Sequence, residues 1–143
     1  MDPNFFIAFT DSSLASPFEA FARFFDRLVK EKQYLETAGD FDFALKSIIR
    51  EPVWIDFFDE STLSRVTSSS SWELEDILET VLCGEYHLVS LKFDGVAGQL
   101  VYEPWSFPFG GTDVLKVVVR LFGFEVVRDS FWDGYDEWLS KST

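Results

Sequence analysis

Apolar residues recur along this chain with two different periods, and the switches between them mark out the elements. Asn4–Thr10 (NFFIAFT) is a short apolar run bounded by Pro3 and by Asp11-Ser12-Ser13, which is the pattern of a strand. From Ser16 to Glu36 the period becomes helical. Phe18, Phe21, Phe25 and Leu28 form one stripe, widened by Phe24 and Leu35. The start of this helix carries cap chemistry, because Ser16 and Glu19 make a capping box and Pro17 suits the first helical position. Arg23, Arg27 and Lys30 fall mainly off the stripe, on a solvated face.

Gly39 closes that unit and Asp40 caps a second predicted helix, with Phe41, Ala44, Leu45, Ile48 and Ile49 on one side. Pro52 bars its continuation. Val53–Asp59 (VWIDFFD) then alternates like a strand, with Val53, Ile55 and Phe57 on one face and Trp54, Asp56 and Phe58 on the other. The segment from Glu60 to Ser71 is unpatterned and ends in four serines, a surface loop too short to separate two cores. Ser70 and Glu73 make a second capping box ahead of a helix whose stripe is Leu74, Ile77, Leu78, Val81 and Leu82, with Gly84 as its stop. Glu75, Asp76 and Glu79 face water or a partner.

Glu85–Asp94 and Ala97–Glu103 read as a hairpin, with His87, Val89, Leu91 and Phe93 on one strand face and Leu88 on the other. Thr112 and Gly123 frame a helix with Leu115, Val118, Val119 and Phe122 on its apolar side, although Val117–Val119 also favours a strand. Phe124–Phe131 is a strand, and Trp132–Leu139 ends the chain as a turn and a short helix or strand. The order β-α-α-β-α-β-β-α-β mixes strands and helices without strict alternation. It predicts an α+β fold, a mainly antiparallel sheet of about four to five strands with about three to four helices packed against it. With 143 residues, 47% of them hydrophobic and 17 of them Phe, the chain can bury a core as one globular domain over residues 1–143.

Charge narrows the choice of partner. The formal net charge is −13, and it is uneven: residues 1–50 hold 8 acids against 6 bases, residues 51–143 hold 17 against 6. Carboxylates repel phosphate backbones and anionic lipid surfaces, so neither nucleic acid nor membrane is the expected partner. A basic protein surface is the natural complement. With Cys83 as the one cysteine, no internal disulfide forms. The first residues are acidic where a signal peptide is basic, and no apolar run approaches a membrane span. The expectation is a soluble cytoplasmic protein, a monomer or weak dimer, without cofactor or metal.

Candidate chemistry is thin. Phe109-Gly110-Gly111-Thr112 lacks the Lys of a phosphate-binding loop, and Asp113 would repel a phosphate, so the glycines read as the lead-in to a capped helix. Cys83 and His87 are separated by a helix stop and are expected to point apart, against a thiolate–imidazole pair. Asp129–Ser140 departs from a calcium loop at Phe131 and at Ser140. Paired carboxylates carry no information in a chain with 25 acids.

What stands out is large rings among acids: Trp54 beside Asp56, Asp59 and Glu60; Trp105 between two prolines; Trp132 and Trp138 with Asp133, Asp136 and Glu137. Rings that anchor and carboxylates that steer are what a binder of a basic surface displays. In composition and size the chain is similar to the immunity proteins, small acidic cytosolic proteins of bacteria that neutralise secreted toxins. That resemblance implies a non-enzymatic inhibitor that fills a basic cleft on its partner. Two other readings predict different structures: a small-molecule-binding or enzymatic α+β domain with an aromatic-lined pocket, and a subunit of a larger assembly with a broad apolar patch.

Overall fold

Four segments of alternating pattern pair into one antiparallel sheet. In the computed structural model, residues 5–13, 15, 17–58, 60, 74–84, 86–104 and 113–130 are described. The strands are β1 (Phe5–Thr10), β2 (Tyr86–Phe93), β3 (Ala97–Pro104) and β4 (Glu125–Asp129), in the order β2-β3-β1-β4. Four α-helices accompany them among the described residues: α1 (Phe18–Thr37), α2 (Phe41–Ile49), α3 (Leu74–Cys83) and α4 (Asp113–Leu121). This is the expected α+β class.

Strand alternation sends Ile7 and Phe9 of β1, and Leu100 and Tyr102 of β3, into the core. There they meet Phe21, Phe24, Phe25 and Leu28 of α1, Ile77 and Val81 of α3, and Val118 and Val119 of α4 in one apolar cluster. Rings dominate it. Phe21 stacks on Phe122 with centroids 4.9 Å apart, Phe122 on Phe58 at 5.0 Å, and Phe9 meets Phe124 edge-on at 5.3 Å.

Local chemistry sets several boundaries as expected. Asp40 caps α2, its carboxylate accepting from the Phe43 N–H at 3.1 Å. Gly123, at φ +83, follows α4 and donates its N–H to the Arg120 carbonyl. The hairpin turn places Gly95 at φ +100, and the Asp94 carboxylate accepts from the Val96 and Ala97 N–H groups, both at 2.9 Å. α1 begins after Pro17, which makes no side-chain cap; Ser16, Ser70, Glu73 and Thr112 lie outside the described residues.

Two expectations are corrected. Pro52–Phe57 is a 3-10 helix, not a strand. Pro52 supplies a fixed φ at its start, and three residues per turn bring Trp54 and Phe57 to the same side, where both meet Phe24 at 5.5 and 5.7 Å. Strand alternation would have separated them. In β2, Leu88 faces Tyr102 and Ser90 faces Val101, so Val89 is an extra, bulged residue. Tyr86 and Leu88 are buried ahead of the bulge, while Leu91 and Phe93 pack on the core behind it. His87 and Val89 are exposed and do not share the inner face with Leu91 and Phe93.

Candidate functional site

Trp54, expected as a surface anchor, is 1% exposed. Its indole N–H donates to the Ile48 carbonyl at 2.8 Å, and the Arg27 guanidinium lies 5.6 Å above its ring. A large ring with its one donor satisfied belongs to the core, so Trp54 presents nothing to a partner. Asp56 and Glu60 are exposed. Asp59, Trp105, Trp132, Asp133, Asp136, Glu137 and Trp138 lie outside the described residues. Among the described residues of this set, the ring of Trp54 is buried while Asp56 and Glu60 are exposed.

Cys83 ends α3 and is exposed, while His87 on β2 turns to Glu36 of α1, with Nε2 3.1 Å from Oε1. Partial burial and then the Glu79 carboxylate push the Cys83 thiol above its ordinary pKa, which disfavours the thiolate that nucleophilic chemistry needs.

Beside them lies a polar cluster built on a charged residue of α1. Lys32 is buried on the apolar stripe of α1, between Leu28 and Leu35. Its ammonium donates to the Val81 carbonyl at 2.8 Å and the Gly84 carbonyl at 3.0 Å, closing the C-terminal end of α3, and sits 4.7 Å over the Tyr86 ring. Burial lowers its pKa to about 8, against the opposing pull of Cys83 and Glu36. Gly84 has no room for a side chain, since a Cβ there would run into the Tyr86 ring. The sequence signal was present: Lys32 falls four residues after Leu28 and three before Leu35, a core position.

A second cluster sits at the sheet. β4 also bulges: Ala8 faces Arg128 and Phe9 faces Val126, leaving Val127 unpaired and 62% exposed. The extra residue turns Asp129 inward. There its carboxylate accepts from the Tyr102 hydroxyl at 3.0 Å and lies 3.6 Å from Lys116 Nζ, which also reaches Asp113 at 3.0 Å. Burial, with Asp129 next, raises the pKa of Tyr102 far above its usual range. Lys32 and Asp129 are both buried, and through them each cluster ties together elements far apart in the chain.

Open surface of another kind lies on the helices. A groove of about 510 Å³ runs between α1 and α2, with Tyr34 and Phe43 on its walls and Glu31, Asp40 and Glu51 on its rim. A smaller hollow of about 200 Å³ lies between α2 and α3, with Asp42, Glu75, Asp76 and Glu79 beside Lys46 and Arg50. As expected, Glu75, Asp76 and Glu79 are exposed. No group of three His, Cys, Asp or Glu side chains among the described residues converges as a metal ion requires. No helix among the described residues is long and apolar enough to cross a membrane. Comparison with protein-family models, with curated proteins and with solved structures finds no match to this chain.

Proposed function

We propose that this protein is a non-enzymatic binding module for a basic partner protein, an immunity-type inhibitor that covers a positively charged site. The observation that supports this reading best is the outer surface of α3, where Glu75, Asp76 and Glu79 stand exposed on successive turns. Asp42 of α2 adjoins them, in a chain of formal net charge −13. Such a surface raises the encounter rate with a cationic partner and rejects anionic competitors.

The test is capture from native lysate at low salt, release by rising salt, and kinetics on the purified partner. Association is expected to slow on the order of tenfold between low and physiological salt. The triple change Glu75→Gln, Asp76→Asn and Glu79→Gln is expected to slow it further without altering the fold. The same neutralisation at Asp133, Asp136 and Glu137 tests the acidic C-terminal segment. A partner whose association ignores both salt and these substitutions would remove the electrostatic basis of the proposal.

A further inference from the structure

The groove between α1 and α2 combines features that the core and the sheet do not share. Two small side chains of α2, Ala44 and Ser47, are among the residues that line it. Its walls carry two rings that the core does not use: Tyr34 is 56% and Phe43 71% exposed. Most rings among the described residues are buried against one another; Tyr34 and Phe43 are the two most exposed of them, ahead of Phe41, and both line this one hollow. The rim holds three carboxylates, Glu31, Asp40 and Glu51, and no basic side chain lines the groove among the described residues. Arg27 spans two of them from the side, bonding Glu31 at 2.8 Å and Glu51 at 2.6 Å. Three carboxylates against one guanidinium leave the rim negative.

We infer that this groove docks a basic segment of the partner protein, with an Arg or Lys stem lying between Tyr34 and Phe43 and its charge set against Asp40 and Glu51. The inference rests on the protein-binding reading above and gives it a site different from the tryptophans that the sequence suggests. Amphipathic stems of Arg and Lys cover apolar surface while their heads remain at a charged rim, so one side chain satisfies both walls and rim. A second copy of the chain lacks this complementarity, because it brings the same acidic rim and a net charge of −13.

The probe is a fluorescein-labelled peptide alternating arginine and leucine, read by anisotropy and by amide chemical shifts of the isotope-labelled protein at low salt. Shifts are expected at Tyr34, Asp40, Phe43 and Ser47. The double variant Tyr34→Ala/Phe43→Ala, with an unchanged melting temperature, is expected to bind about tenfold more weakly or worse. Ser47→Phe fills the hollow while leaving both rings, and is expected to weaken binding as well. Full affinity in both variants, with shifts on Glu75, Asp76 and Glu79 instead, overturns the groove and leaves the basic-partner reading standing. Failure of the peptide to bind, alongside a salt-released basic partner that binds both variants normally, has the same meaning. Failure of the peptide together with the absence of any salt-sensitive partner overturns both. A wild-type protein that sediments as a dimer, against a monomeric double variant, assigns the groove to a second copy and overturns the inference.

Discussion

Lys32 and Asp129 are the charged side chains buried among the described residues, and the fold holds them by different means. Lys32 meets neutral acceptors, two carbonyls at the end of α3 and the face of a ring. Asp129 meets a hydroxyl and an ammonium. In the first cluster desolvation outweighs the opposing pull of Cys83 and Glu36, and the lysine pKa falls to about 8. The second sets opposite charges together. Removing a group that caps dipoles leaves polar atoms short of a bond, whereas removing one member of an ion pair leaves a charge behind.

The largest expected effect is therefore at Asp129. Asp129→Ala takes a carboxylate away from both the Tyr102 hydroxyl and Lys116, and should cost about 3 kcal/mol in urea unfolding. A cost under about 1 kcal/mol would mean that the two clusters are equivalent. Lys32→Met keeps most of the stem and loses the cap, with an expected cost of about 2 kcal/mol.

The same variant sharpens the contrast through pH. A lysine with a folded pKa near 8, below its unfolded value of 10.5, loses its proton first in the folded state. Its contribution to stability therefore rises with pH between about 8 and 10. The Cys83 thiol and the buried tyrosines act in the opposite direction from their own unfolded values upward, because folding raises their pKa. The stability of the wild type minus that of Lys32→Met should accordingly increase across that window. A flat difference would mean that Lys32 stays charged at no cost. The smallest change is expected for Tyr102→Phe, about 1 kcal/mol, since Asp129 keeps Lys116.

The elements that were legible in the sequence share one property: their signal is local. Asp40 as a cap, Gly95 in the hairpin turn, Gly123 after α4 and the stripe Ile77, Leu78, Val81 and Leu82 are each specified within a few residues. The segment around Trp54 alternates like a strand, but Pro52 and the Phe24 ring favour a tighter turn that buries the indole. The groove was not legible at all. Tyr34 and Phe43 lie nine positions apart on different helices, and nothing in either helical pattern says that the space between them is left unfilled.

By itself the amino-acid sequence determined the class of fold, most of the helices and strands, the aromatic core and the acidity of the surface, because periodicity, caps and net charge are properties of short windows and sums. Tertiary structure alone decided which side of each strand faces inward. The bulges at Val89 and Val127 each add one residue to a period of two, and so turn every later side chain over, bringing Leu91 and Asp129 inside. It likewise decided which rings the core consumed and which it left at the surface, because that depends on the space between elements far apart in the chain.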